Sequence, residues 1–254
     1  MLPSLTDWMT TCHGLHAVAQ VMGRVRKSFV SPQPNAQHLT LQPIRHGLTT
    51  GPFTTNSGSH SLSGDFTTQQ ITASFAERPF PMTQAGLNAL LNAATAEAKT
   101  GLREGDPPPE ISVDASHAAD YATVQYAVFS ALARFRARLS GQMTPLVLWP
   151  HHFDLSFLSF ISGDGDEHSD PHLNFGFAPY SDTIPRPYLY MYGWPMPDGI
   201  MKAPLPTPAE WVTEGWHGVM VSYDKLLDEP DPQATIESVC AAIFTLFASH
   251  MHEA

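Results

Sequence analysis

The sequence predicts an α+β fold: a mainly antiparallel β-sheet, or two packed sheets, covered by about four helices. Helical and strand periods occupy separate stretches of the chain instead of alternating regularly. The links between consecutive predicted strands are mostly too short for the helical crossovers that parallel strands require. With 254 residues the chain lies at the upper edge of the size of one domain, and we expect a single domain over residues 1–254.

Four stretches of the sequence have helical periodicity. The predicted helices cover residues 5–27, 83–101, 116–141 and a last segment that starts at residue 231. Their predicted N-terminal caps are Ser4, Thr83, Ser116 and Asp231. Ser, Thr and Asp side chains accept hydrogen bonds from the free N–H groups at a helix start, so these residues mark the boundaries. Apolar residues recur every three or four positions, and one face of each helix is expected to cover a sheet.

Strand periods of two fill most of the remaining chain. The predicted strands lie between residues 37 and 75 and at residues 110–113, 146–149, 153–161, 173–177, 188–192 and 219–223. Eleven of the 26 aromatic residues fall between Trp149 and Trp194, and Tyr188, Tyr190 and Tyr192 occupy alternate positions. Alternate residues share one face of a strand. This clustering indicates either a sheet core or an aromatic-lined pocket with partly wet Tyr hydroxyls.

Charge and motif content exclude several classes of protein. The formal net charge of −11 repels a phosphate backbone, so nucleic acid is not an expected partner. No unbroken run of eighteen apolar residues occurs, so we expect no membrane contact. Cys12 and Cys240 lie in helical apolar patterns, which indicates free thiols in the cytoplasm. Phosphate-loop, dinucleotide-binding and nucleophile-elbow motifs are absent from the sequence.

Two groups of polar residues stand among apolar neighbours. Asp154 lies in an apolar strand, where it caps a backbone amide, pairs with a nearby Arg or His, or has a ligand-binding or catalytic role. His16 and Gln20 share one helical strip with Gly23, whose missing side chain admits a strand or a ligand close to the backbone. Both a packing role and a binding role fit that strip.

A metal site is a further hypothesis. A period of two places His152 and Asp154 on one strand face, and His172 begins the next predicted strand. Two imidazoles and a carboxylate are a ligand set for a divalent transition metal with open coordination positions. A solvated polar turn is the alternative, because no diagnostic ligand spacing is present.

The sequence resembles a bacterial family of proteins of unknown function. The motifs that carry the resemblance are Leu15-His16 with Gln20 and Gly23-Arg24, Gly47-Leu48-Thr49-Thr50, Asp65-Phe66, His117 with Tyr121, Phe153-Asp154-Leu155, Gly176-Phe177, and Tyr190-x-Tyr192. The sequence departs from the family pattern at residues 150–152 and at Gln69. The resemblance implies one compact domain and no assigned activity, and it directs attention to the polar residues of these motifs.

These observations favour a small-molecule-binding domain with an aromatic-lined pocket between the sheet and the first helix. The expected ligand-binding residues are His16, Gln20, Asp65, His117, Asp154 and Tyr190. A non-catalytic interaction or scaffold protein is the first alternative, and a metal-dependent enzyme with His and Asp ligands is the second. The sequence leaves open whether the pocket is catalytic and whether the chain forms homo-oligomers.

Overall fold

A computed structural model describes residues 2–98, 101–102 and 111–252 of the chain. Its helices are α1 (Met9–Phe29), α2 (Gln84–Glu97), α3 (Ala115–Arg136), α4 (Tyr223–Leu227) and α5 (Pro232–His252). Its strands are β1 (Gln42–Ile44), β2 (Gly47–Thr49), β3 (Phe53–Thr54), β4 (Ser59–His60), β5 (Leu62–Asp65), β6 (Gln70–Ala73), β7 (Phe80–Pro81), β8 (Val147–Trp149), β9 (Asp154–Phe160), β10 (His172–Ala178), β11 (Tyr188–Trp194), β12 (Glu210–Val212) and β13 (Gly218–Ser222). The α+β class with antiparallel sheets is confirmed.

The contacts of the chain cluster in two compact units. The N-terminal unit comprises the described residues within 3–126 and 147–153, and the C-terminal unit comprises Leu2, residues 127–146 and residues 154–252. The expectation of a single domain stays a prediction.

Helix boundaries follow from their caps, and two of the four predicted caps are wrong. Thr83 accepts a hydrogen bond from the Gly86 N–H, and Asp231 accepts from two N–H groups of the first turn of α5, as predicted. Helix α3 is capped by Asp114, not Ser116, because its carboxylate accepts from the His117 N–H at 3.0 Å. Helix α1 starts at Met9 with Trp8 at the cap position and no side-chain cap, and the Ser4 hydroxyl is bonded to Thr6 instead.

The N-terminal unit contains an antiparallel sheet of strand order β1-β2-β5-β6-β7. The predicted apolar stripe of α1 is buried in this unit and includes Cys12, Leu15 and Met22. Strand β8 is joined to the chain before β1 by paired backbone hydrogen bonds between Leu41 and Leu148. Residues 111–113 form no strand, and residue 110 of the predicted strand at 110–113 lies outside the described residues.

In the C-terminal unit, antiparallel strands follow one another in the order β12-β13-β11-β10-β9. One side of these strands is an apolar core. The residues of this core face are Leu155, Phe157, Leu173, Phe175, Phe177, Leu189, Met191, Val219 and Val221. Phe135 of α3 packs against Phe175 at 4.9 Å between ring centroids, and Cys240 of α5 lies 4.0 Å from the Met191 sulfur. Part of the aromatic clustering in the sequence is therefore core.

Helix α5 is long and apolar enough, by length and composition, to cross a membrane, with a mean hydropathy of 1.4 over an 18-residue window within residues 232–251. The core helix of a soluble protein meets the same criterion. In this chain one stripe of α5, including Ile243 and Phe247, is buried in the C-terminal unit. The lack of an unbroken apolar run therefore does not by itself distinguish α5 from a membrane span, and the cytoplasmic location stays a prediction.

Candidate functional site

The strand that carries Asp154 begins directly after a strained backbone position. Phe153 has a φ of 60°, in the left-handed region that bulky residues rarely adopt. Its N–H donates to the Trp149 carbonyl at 2.7 Å, which closes a tight turn over residues 149–153. The prediction that His152 and Asp154 share one strand face is wrong, because His152 lies in this turn and β9 starts only at Asp154.

Strand register places a set of polar and aromatic residues opposite the core face. Ser156 of β9, Gly176 of β10 and Tyr190 of β11 form one row across the strands. The other members flank this row, and we call the whole set the polar-aromatic face: Asp154, Ser156, Asn174, Gly176, Tyr188, Tyr190 and Tyr192. The set alternates in sequence with Leu155, Phe175, Leu189 and Met191 of the core face, so both patterns arise from one period of two.

The side chains of the polar-aromatic face are bonded to one another. Tyr190 lies across Gly176, where a Cβ would come within 2.2 Å of its Cζ atom. This position lets the Tyr190 hydroxyl donate to Oδ2 of Asp154. Tyr190 also receives a hydrogen bond from Ser156. Glycine at position 176 is therefore what allows the tyrosine ring to reach the carboxylate from two strands away.

A second side-chain hydrogen bond is parallel to the first. Nδ2 of Asn174 donates to the Tyr192 hydroxyl at 2.8 Å. The rings of Tyr190 and Tyr192 are nearly parallel, with 6.3 Å between their centroids. Oδ1 of Asn174 is buried and has no hydrogen-bond partner among the residues that the structure describes. One buried acceptor on this face thus has no protein hydrogen bond among the described residues.

Solvent exposure differs between the two faces of the same strands. Asp154, Ser156, Asn174 and Tyr188 are 8%, 5%, 8% and 6% exposed, whereas the core-face residues Leu155, Phe157, Phe175, Phe177 and Leu189 are 0–1% exposed. Tyr190 and Tyr192 are half-buried. The polar-aromatic face is therefore mostly buried, but it retains a small exposed fraction that these core-face residues lack. The prediction that Asp154 is buried and hydrogen-bonded is confirmed.

The three tyrosines of this face remain protonated well into the alkaline range. Burial raises the pKa of each hydroxyl, and the negative charge of Asp154 raises all three further. A hydrogen bond from Asn174 partly offsets the shift at Tyr192. At neutral pH these hydroxyls are therefore hydrogen-bond donors beside a fixed carboxylate.

The predicted strip on α1 packs against the tight turn of the N-terminal unit. His16 Nε2 lies 2.9 Å from the Pro150 carbonyl oxygen, and the Gln20 amide lies 3.2 Å from the same nitrogen. A Cβ on Gly23 would come within 2.7 Å of Pro150, so glycine is required for the approach. The His16 ring stacks on Phe153 with 5.4 Å between centroids. These contacts favour the packing role over the binding role.

Four histidines lie in this turn or on the neighbouring helix α1. We call them the histidine cluster: His13, His16, His151 and His152. The rings of His151 and His152 are 4.2 Å apart. Burial lowers the pKa of His16, and the charges of His13 and His152 lower it further. The backbone carbonyls of Pro150 and His151 act in the opposite sense, but the pKa still falls below its usual value. His16 is therefore held in the neutral form by its surroundings.

Asp65 and His117 have local structural roles. Asp65 ends β5, and its Oδ1 accepts from the Thr67 N–H at 2.8 Å and the Thr68 N–H at 3.1 Å. Partial burial raises the pKa of Asp65, but the hydrogen bonds from Thr67 and Thr68 outweigh it, so the pKa is lowered. The His117 ring lies 3.8 Å from the Asp114 carboxylate. Neither residue is part of the polar-aromatic face.

The predicted metal ligands are not brought together, and this is a correction. Among the described residues no group of three His, Cys, Asp or Glu side chains could hold a metal ion. His172 pairs with Phe160 at the far end of β9, six positions from Asp154, which corresponds to about 20 Å along a strand. The start of the second strand of a hairpin lies opposite the end of the first. The His172 ring is instead bonded to the Asp170 carbonyl and stacked on Trp194.

Of the six expected ligand-binding residues, the structure brings Asp154 and Tyr190 together on the polar-aromatic face. Sequence reasoning missed Ser156 and Asn174 as their neighbours. Ser156 lies two positions after Asp154 on β9 and therefore on the same face of the sheet. Asn174 of β10 lies two positions before Gly176, which pairs with Ser156, and so shares that face. The alternation between polar and apolar residues in the run 154–157 was the signal that could have identified Ser156.

The fold and this face define an α+β protein with an acidic, tyrosine-rich sheet surface. The chain belongs to a family of unknown function, DUF5996, whose model matches residues 2–252. The resemblance to an uncharacterised family is thereby confirmed. No curated protein and no solved structure matches the chain significantly.

Proposed function

We propose that the protein is a small-molecule-binding domain and that the polar-aromatic face of the C-terminal unit is its binding surface. The observation that carries this proposal is the largely buried Asp154 carboxylate, which is bonded to the Tyr190 hydroxyl on a sheet face of mixed polar and aromatic side chains. Ligand sites combine apolar and aromatic walls with a few convergent polar groups. Asp154, Ser156 and Asn174 supply those groups, and the tyrosine rings supply the walls.

Stability alone does not account for this composition. Burial of a carboxylate disfavours folding unless its hydrogen bonds are made, and well-packed apolar residues in place of both partners of a buried polar pair are usually as stable or more stable. The core face of the same strands is built from Leu, Phe and Met, so the sheet has no general need for polar groups. A recognition role explains why the polar groups lie on one face.

The bonded pairs also fit recognition by hydrogen bonds. Tyr192 stays protonated because burial and Asp154 raise its pKa, and its hydroxyl accepts from Asn174, so its own proton can be donated at neutral pH. The buried Oδ1 of Asn174 accepts hydrogen bonds. A ligand on this face thus meets donors and acceptors in fixed positions, which is the requirement for selective binding.

The test is a screen of polar metabolites by thermal shift, followed by calorimetry on every compound that stabilises the protein. We expect at least one compound to bind, and we expect the Tyr192→Phe variant to weaken it about fivefold, the effect of one lost hydrogen bond. Tyr126→Phe is the matched control, since Tyr126 is an exposed tyrosine of the N-terminal unit. A compound whose affinity is the same in Tyr192→Phe and in wild type, or a screen with no binder, contradicts the proposal.

A further inference from the structure

We propose, building on the function above, that the ligand of the polar-aromatic face is a protonated organic amine. Three independent features of the face lead to this class of ligand: the sign of its charges, the orientation of its aromatic rings, and an acceptor atom that has no partner.

The charges that act on this face are negative. Asp154 acts on the hydroxyls of Tyr188, Tyr190 and Tyr192, and Glu167 acts on Tyr192 as well. Both of these groups are carboxylates, so the charges that raise the pKa values of the three hydroxyls are negative. A negative field in a partly desolvated site attracts cations and opposes anions. Carboxylate and phosphate ligands are therefore disfavoured on this face.

Three aromatic rings adjoin one another on this face. Trp216 stands almost perpendicular to Tyr190, at 80° and 6.4 Å between centroids, while Tyr192 is nearly parallel to Tyr190. All three residues are half-buried. The face of an aromatic ring attracts a cation within about 6 Å of its centroid, and several such rings form the cages that recognise organic ammonium groups.

The free acceptor distinguishes a protonated amine from a quaternary ammonium ion. Oδ1 of Asn174 is buried and has no hydrogen-bond partner within the described ranges. Its Nδ2 is committed to the Tyr192 hydroxyl, which fixes the orientation of the amide. A ligand that carries N–H groups can donate to this oxygen as well as to Asp154. A quaternary ammonium ion has the charge but no proton to donate.

A neutral polar ligand such as a sugar is the main competitor, because aromatic rings with Asp and Asn side chains suit hydroxyl groups too. The negative field favours the amine, since a neutral ligand can form hydrogen bonds to a carboxylate but has no net charge for Asp154 and Glu167 to attract. The two classes differ in a single measurable property, which is the contribution of ligand charge to affinity.

The experiment compares three probes of matched shape on the full-length chain by calorimetry. Benzylamine has a charge and N–H donors, benzyltrimethylammonium has the charge alone, and benzyl alcohol has a donor without a charge. We expect benzylamine to bind at least about tenfold more tightly than either of the others. We also expect Asp154→Asn to remove most of the difference between benzylamine and benzyl alcohol.

Asp154→Asn changes a buried hydrogen bond and can lower the stability of the chain. A second variant, Trp216→Leu, therefore tests the binding site separately. Trp216→Leu removes one wall in a half-buried position and is expected to weaken benzylamine at least about fivefold while benzyl alcohol changes less. Tyr126→Phe serves again as the control and is expected to leave all three affinities unchanged.

The outcomes separate this inference from the proposed function. Equal affinity for benzylamine and benzyl alcohol, or tighter binding of a neutral sugar that Tyr192→Phe weakens, overturns the amine and leaves the binding function in place. Equal affinity for benzylamine and benzyltrimethylammonium overturns the role of Asn174. No binding of benzylamine at millimolar concentration, in a protein that binds another compound from the metabolite screen, also overturns the amine.

Discussion

The polar-aromatic face of the C-terminal unit and the histidine cluster of the N-terminal unit are both groups of rings and titratable side chains. They differ in what their polar atoms contact. On the polar-aromatic face, Asp154 is bonded to Tyr190, so both partners are side chains. In the histidine cluster, His16 is bonded to the Pro150 carbonyl, which is backbone. The first arrangement holds a charge in a largely desolvated position, and the second stabilises a turn.

This difference separates a binding surface from a structural contact. A side-chain network with an unused acceptor, such as Oδ1 of Asn174, has capacity for another molecule. His16 is bonded to the Pro150 carbonyl, and Pro150 packs closely on Gly23. These contacts complete the packing of a turn. Resemblance in composition between two clusters therefore does not imply resemblance in function.

The largest expected effect comes from Gly176→Ala, which tests how the polar-aromatic face is built. The new Cβ would lie 2.2 Å from Cζ of Tyr190 and 2.6 Å from the Leu155 carbonyl oxygen, so the ring and the strand would have to move. Overpacking of this kind costs about 1–3 kcal/mol. We expect the free energy of unfolding, measured with urea, to fall by about 3 kcal/mol.

Gly64→Ala on β5 is the matched control for that substitution. Its Cβ would meet the flexible ends of Met22 and Met82, at 3.1 and 3.3 Å. These side chains can adjust, so the expected loss is under about 1 kcal/mol. Equal losses for the two alanines would show that Gly176 has no special role beneath Tyr190.

A smaller effect is expected from the pair of Asp154 and Tyr190. Asp154→Ala leaves the Tyr190 hydroxyl and its neighbours without an acceptor, and we expect it to lower the free energy of unfolding by about 2 kcal/mol. Tyr190→Phe removes the other partner. The double variant, measured beside both single variants, is expected to give a coupling energy of about 1 kcal/mol or more. Additive losses would mean that the two side chains do not act as a pair.

The smallest effect concerns pH and has opposite signs in the two clusters. The pKa of His16 is lowered from 6.5 by folding, so the unfolded chain binds more protons below that pH. The stability from neutral His16 is complete above pH 6.5 and is lost as the pH falls through the folded pKa. His16→Gln keeps a donor for the Pro150 carbonyl without a titrating group. Between pH 7.5 and 5, the free energy of unfolding of this variant should therefore fall less than that of the wild-type protein.

The tyrosines act at the other end of the scale. Their pKa values are raised above 10, so their contribution is complete below pH 10 and is lost as the pH rises. Burial also raises the pKa of the Cys12 and Cys240 thiols, so the comparison with Tyr192→Phe isolates the tyrosine part of the slope. An unchanged slope in both His16→Gln and Tyr192→Phe would show that neither cluster responds to pH.

Local signals in the sequence were reliable where one residue decides the outcome. Thr83 and Asp231 cap α2 and α5 because each is followed by N–H groups within reach of its own side chain. At α3 two candidate caps lie close together, and the choice of Asp114 over Ser116 depended on where the turn before the helix ended. Boundaries of this kind are set by backbone geometry that the sequence pattern does not specify.

The sequence by itself determined the α+β class, the apolar stripe of α1, and the alternation that separates Leu189 and Met191 from the tyrosines on β11. All of these follow from the periods of helices and strands, which are local properties of the chain. The tertiary structure alone decided which side chains meet. Phe153 ends the strand pattern before Asp154 through a positive φ, and the hairpin register places His172 about 20 Å from Asp154 while it brings Tyr190 to the carboxylate. Register and turn geometry depend on contacts between residues distant in sequence, and for that reason no local pattern contained them.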